Sequence, residues 1–330
     1  MEMIGKARTV AVQRSTLAWS ELGEGEPLVL LHGLGDSHRT WRRVAPALAQ
    51  RFRVLMPDLP GHGLSGRPDA PYTLDWYAHA LAEWMDAIGL ERAHIVGHSY
   101  GGGVAQWLLL DHRARVERLA LVAAGGLGRE VGVGLRLATV PVLGPALTPL
   151  LMRLGTGSMM RLAPKLFGNP EPEEIEKLVW MNLAPGSARA FRRTVNACID
   201  VFGQHMQTFD RINEITSLPP LALFWGDDDR IIPLRHGERA RDRLENTALH
   251  VFAGCGHYPH LIDPERFARE LSTFLGNGET PAARLRPTRA LVRRPHPLRV
   301  ALRRIVHDAV ARARRAIRRL GETPAPRFTG

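Results

Sequence analysis

Over residues 9–13 and 17–21 apolar and polar side chains alternate, the period of a half-buried strand, and Arg14-Ser15 between them closes an opening antiparallel hairpin. Gly23 and Gly25 then turn the chain. From there the pattern changes. Pro27–Leu31 is an unbroken apolar run, as is most of Phe52–Pro57, His94–Gly97 and Val116–Ala123, and such runs fit strands covered on both faces. Between them Trp41–Gln50, Leu74–Ile88 and Gly101–Leu110 carry apolar residues at helical spacing, the last apolar on nearly every side. Strand and helix alternate, which predicts a mostly parallel sheet with helices on both faces. The rhythm stops at Gly125 and resumes near Pro220 with a strand to Trp225, a helix over Leu234–Leu244, a strand over Ala248–Phe252 and a helix over Pro264–Leu275.

The interruption is too long for a loop. Residues 125–217 read as a helical insertion, with helices over Glu171–Met181 and Ser187–Phe202 and an apolar stretch from Val131 to Met152. Arg136 and the prolines 141, 145 and 149 break that stretch, so it predicts a lid and not a membrane span. The expected organisation is a core of residues 1–124 and 218–277, a lid of residues 125–217, and a tail of residues 278–330.

Charge separates the tail from the rest. Residues 279–330 hold 14 arginines against Glu279, Asp308 and Glu322, which accounts for the whole net charge of +11. Within residues 298–320, Leu298, Leu302, Ile305, Ala309, Ala313 and Ile317 share a helical face. A basic amphipathic helix suits an anionic membrane surface. Nothing here resembles a nucleic-acid-binding fold, so none is expected as partner. Two cysteines and an N-terminus without an apolar leader run point to a cytoplasmic protein, with the tail offering peripheral contact at the inner membrane face.

The chemistry sits where strands end. Gly97-His98-Ser99-Tyr100-Gly101 is a G-x-S-x-G between a strand and a helix, a tight turn that lifts a serine above the sheet. A serine hydroxyl needs a base, and His257 follows the last strand between glycine-rich neighbours; His260 is the lesser candidate and packs beneath the loop or orients it. The base needs an acid. Asp227, Asp228 and Asp229 follow Gly226; a carboxylate that must point back over the sheet favours Asp229, with Asp228 second. His32-Gly33-Leu34-Gly35 ends another strand, and the backbone N–H groups of Leu34 and Tyr100 are the expected oxyanion hole. His32, Gly33, Gly97, His98 and Gly101 are read as supporting these loops. Asp58–Ser65 reads as a structural turn, with His62 equally placed to touch the site.

Together H-G-x-G at 32–35, D-x-x-G-x-G-x-S at 58–65, G-H-S-x-G-G at 97–102, W-G-x-x-D at 225–229 and G-H-x-x-H at 256–260 resemble the α/β-hydrolase superfamily over residues 8–277. The resemblance implies an eight-stranded sheet with a lid inserted after the sixth strand. Relatives that open epoxides or cleave carbon–halogen bonds use an aspartate nucleophile, and Ser99 stands in that place here. Relatives that hydrolyse carbon–carbon bonds often carry Asn before the nucleophile, where this chain has His98. The best reading is a lid-bearing, lipase-like serine esterase acting on a small-molecule ester, with an apolar or lipid-like acyl group, without cofactor or metal. Carbon–carbon hydrolysis, perhydrolysis, acyl transfer and a non-catalytic receptor are the alternatives.

Overall fold

A computed structural model describes residues 4–140, 172–208, 211–215, 217–276 and 281–286. The hairpin strands β1 (Lys6–Val12) and β2 (Ser15–Leu22) lead into β3 (Glu26–Leu31), β4 (Phe52–Pro57), β5 (Ala93–His98), β6 (Val116–Val122), β7 (Leu221–Gly226) and β8 (Thr247–Phe252). They form one eight-stranded sheet in the order β1-β2-β4-β3-β5-β6-β7-β8. β1 pairs antiparallel with β2 and β2 antiparallel with β4; every pairing from β4 through β3 and β5 to β8 is parallel. β3 and β5 are thus the two central strands, and the loops leaving their C-terminal ends open at the same edge. Open parallel sheets place their sites there.

The unbroken apolar runs divide between two cores, because successive side chains on a strand point to opposite faces. Leu28 and Leu30 join Trp41, Phe224, Phe267 and Leu271 on one side. Val29 and Leu31 join Tyr77, Trp84, Leu108 and Trp225 on the other. The first layer is closed by α6 (Pro264–Gly276) and the second by α1 (Leu74–Ala87) and α2 (Tyr100–Asp111). Every residue from Tyr100 to Leu109 is buried, as the all-round apolarity of that helix requires. The helix expected over Trp41–Gln50 is split into a 3-10 turn, His38–Trp41, and a short helix, Ala45–Leu48, with Pro46 in its first turn.

In the insertion the two expected helices are present as α3 (Pro172–Leu183) and α4 (Ser187–Cys198). The second ends earlier than the apolar spacing suggests. Residues Ile199–Asp200 and Gly203–Gln204 instead form a two-stranded hairpin, with Asp200 accepting from the Phe202 backbone N–H across the turn. Of the apolar lid residues, Val131 is buried and Leu135 packs on the core, while Val133 and Leu137 face solvent. Val142, Leu143, Leu147, Leu150, Leu151 and Met152 lie outside the described residues, as does the whole basic segment 298–320.

α5 (Arg235–Arg243) precedes β8. The chain also returns to the body beyond the expected boundary at residue 277. Arg284–Leu285 pair antiparallel with Leu244–Glu245, and Ala283 is buried, so the compact unit runs to Arg286. The pairing is long-range and only two residues deep, which leaves no periodic trace in the sequence. Among the described residues no helix is long and apolar enough to cross a membrane.

Candidate active site

Ser99 stands between β5 and α2 with φ +52° and ψ −115°, a conformation that costs a non-glycine residue about 1–3 kcal/mol. Two glycines permit the turn. A Cβ on Gly97 would lie 2.5 Å from the Gly101 carbonyl oxygen, and one on Gly101 would lie 2.4 Å from that of His32. The turn is held by Ser99 N–H donating to Val122 at 2.9 Å, and by Gly125 N–H donating to the Ser99 carbonyl at 3.0 Å. Ser99 itself is only partly buried.

The backbone N–H of Tyr100 opens α2, where no preceding turn supplies an acceptor. Among the described residues neither it nor the N–H of Leu34 is hydrogen-bonded. Gly33 packs against the serine: a Cβ there would meet Ser99 Cβ at 3.3 Å. The H-G-x-G loop and the nucleophile turn are therefore in contact, and each carries one of the two unbonded amides.

His257 is 2% exposed, and its Nδ1 lies 2.7 Å from Asp229 Oδ2. The other oxygen, Oδ1, accepts from the Ile231 and Ile232 N–H groups, both at 2.9 Å. Asp229 is thus a buried carboxylate, fixed by backbone donors on one oxygen and facing an imidazole with the other. Asp228, the second choice, points to solvent and pairs with Arg230. Its own N–H donates to the Cys255 carbonyl at 2.9 Å, which ties the acid loop to the histidine loop and turns its side chain away.

The remaining histidines have other duties. His32 is fully buried; its Nδ1–H donates to the Gly33 carbonyl at 2.8 Å and its Nε2 accepts from Leu59 N–H at 2.9 Å, so it braces two loops. His260 shares a hydrogen bond of 3.0 Å with Thr40 and lies against Trp41, beneath the His257 loop. His98 donates from Nε2 to the His257 carbonyl at 3.0 Å. Burial, followed by the nearby imidazoles, holds His98 and His260 well below the ordinary histidine pKa. His62 belongs to the turn that follows β4. Burial, with the His32 charge adding to it, pushes its pKa down to about 3, and its Nδ1–H donates to the Pro60 carbonyl at 3.3 Å. Asp58 organises that turn, accepting from the N–H groups of His38 and Leu64 and from the His38 ring.

Sequence reasoning missed three groups above the site. Asn182 on α3 donates to the Gly35 carbonyl at 2.8 Å, and the Phe191 ring on α4 stands 3.7 Å from where a Gly35 Cβ would be. Glu174 on α3 forms a bidentate pair with Arg39. The only hint was position: these residues lie on helices of the long insertion between β6 and β7.

Residues 28–270 match the model of the alpha/beta hydrolase family. The chain belongs to that family. It is 34% identical over 279 residues to an uncharacterized protein of Mycobacterium tuberculosis, covering 82% of each chain. It is 32% identical to a 2-hydroxymuconate semialdehyde hydrolase of Pseudomonas sp. strain CF600, covering 84% of this chain and 96% of the relative. A solved bacterial membrane phospholipase A aligns with a TM-score of 0.68 at 27% identity, covering 82% of this chain and 86% of that one. The protein is an α/β-hydrolase family enzyme with a mostly parallel eight-stranded sheet, as its motifs led us to expect.

Proposed function

We propose that this hydrolase cleaves carboxylic esters with an apolar acyl group, through Ser99, His257 and Asp229. The observation that carries the reading is the 2.7 Å bond from His257 Nδ1 to Asp229, whose other oxygen two backbone N–H groups hold, in a chain whose G-x-S-x-G serine stands in a strained turn at the head of α2. Asp229 holds the imidazole with its proton on Nδ1, which leaves Nε2 as the base. Ser99 Oγ attacks the ester carbonyl and passes its proton to that nitrogen. The Leu34 and Tyr100 N–H groups take the negative oxygen, each worth about 3 kcal/mol of barrier. The imidazolium returns the proton to the leaving alcohol, and water releases the acyl group by the same route.

Phe191 over the oxyanion loop supports an apolar acyl group, as does the likeness to a protein named as a phospholipase. A second reading is favoured by the relative named 2-hydroxymuconate semialdehyde hydrolase. The same relay on a ketone would cleave a carbon–carbon bond, the proton going to carbon.

Steady-state turnover of p-nitrophenyl esters of increasing acyl length, beside 2-hydroxymuconate semialdehyde, separates the two. Ester turnover that rises with acyl length and falls about 10⁴-fold or more in Ser99→Ala is the expected result. Turnover of the semialdehyde alone moves the assignment to carbon–carbon hydrolysis. Inertness toward both, in folded protein, leaves the receptor reading.

A further inference from the structure

His98 makes a bond that the chemistry above does not use. It is the last residue of β5, one peptide from Ser99, and is completely buried. Its Nε2 lies 3.0 Å from the backbone carbonyl oxygen of His257. A carbonyl only accepts, so the proton of His98 sits on Nε2. Nδ1 has no hydrogen-bond partner and faces the oxyanion loop: a Cβ on Gly33 would be 3.1 Å from it. The ring also packs on those of His257, Tyr258 and His260, with centroids 4.8, 4.6 and 4.7 Å away. One side chain thus touches the nucleophile turn, the oxyanion loop and the base loop.

The bond to Asp229 fixes the His257 ring at Nδ1, and the loop is held two residues earlier by Asp228 N–H on the Cys255 carbonyl and three residues later by the bond between His260 and Thr40; none of these bonds joins the His257 backbone to the nucleophile strand. The bond from His98 does. Because that attachment comes from the residue next to Ser99, the distance it fixes is the one between nucleophile and base. We propose that His98 is a positioning residue whose Nε2–H ties the His257 carbonyl to the nucleophile strand and sets the reach of the imidazole to Ser99. This rests on the reading of Ser99, His257 and Asp229 given above. Burial and the neighbouring imidazoles, which depress its pKa, keep His98 neutral while His257 carries its transient charge.

The test uses an ethyl fluorophosphonate probe, whose P–F bond breaks as Ser99 Oγ bonds to phosphorus, the serine proton passing to His257 and fluoride leaving. His98→Met keeps the bulk and loses the donor; His98→Gln puts an amide N–H near the lost one. His98→Met is expected to lower kinact about 10- to 100-fold with KI within about threefold, since small misplacements are costly to rate and not to binding. His98→Gln is expected to restore kinact to within about fivefold of wild type. Equal losses in both variants, or no loss in His98→Met, overturn the proposal. Wild-type protein gives a readout that no folding defect can blur. In a 15N imidazole spectrum His98 is expected as the neutral Nε2–H tautomer with a slowly exchanging proton, and a proton on Nδ1 overturns the proposal. Wild-type protein inert to the probe would instead overturn the Ser99 reading, while the tautomer still decides the His98 bond.

Discussion

The floor of the site and its cover are built on different principles. The floor is largely backbone-bonded: Asp229, Asp58, His32 and His98 are buried, and each makes at least one hydrogen bond to a main-chain group. The cover, α3 and α4, is held to the floor by side-chain reach. Arg39 meets Glu174, Asn182 meets the Gly35 carbonyl, and Arg67 meets Ser187 and the Met181 carbonyl. It also leaves Trp180 and Leu183 exposed. Buried main-chain bonds fix a geometry that a proton transfer needs to fractions of an ångström. Under the proposed function, side-chain ion pairs fix a cover that has to admit a substrate. The difference predicts that damage to the floor appears in kcat and in acid stability, and damage to the cover appears in selectivity.

The largest effect belongs to the acid. Asp229→Asn should lower kcat/KM about 10⁴-fold by losing the anchored tautomer, while Asp228→Asn stays within about twofold, both by steady-state ester hydrolysis. Equal losses would mean that the loop, and not the buried carboxylate, matters.

Next comes acid stability of the floor. Unfolded, His62 takes a proton near pH 6.5; folded, burial delays this to about pH 3. Protons therefore favour the unfolded chain across that window, and stability falls as pH drops from 6.5 toward 3. About 3 kcal/mol should be lost by pH 4 through this residue alone, read from urea midpoints. His62→Phe should flatten that slope.

The cover gives smaller numbers. Burial raises the Glu174 carboxyl, but the Arg39 bonds outweigh it and the net pKa is lowered. Glu174→Gln should cost about 1 kcal/mol or less in urea titration, because the pair is partly solvent-screened, and it should change KM more than kcat. Phe191→Ala should shift the preferred ester by one or two carbons, as about 0.8 kcal/mol per buried methylene implies. An unchanged length profile would remove Phe191 from the acyl path.

The same contrast governs what the sequence could reveal. Strands buried on both faces are unbroken apolar runs, and the Gly97 and Gly101 pair around Ser99 is a local steric demand, so both were readable. Asp229 could be favoured over Asp228 because Gly226 sets the direction of the turn. The Asp58–His38 pair, the Asn182–Gly35 bond and the short pairing at Arg284–Leu285 join residues far apart in the chain, and none imposes a local period. The helix expected to reach Phe202 failed for the opposite reason: apolar spacing persisted while Asp200 closed a turn on the Phe202 backbone.

The most direct measurement is peptide mapping of wild-type and Ser99→Ala protein after reaction with p-nitrophenyl butyrate and a rapid acid quench. The account predicts a butyryl adduct on the wild-type peptide containing Ser99 and none on Ser99→Ala. An adduct on another residue, or ester turnover that survives in Ser99→Ala, would contradict it.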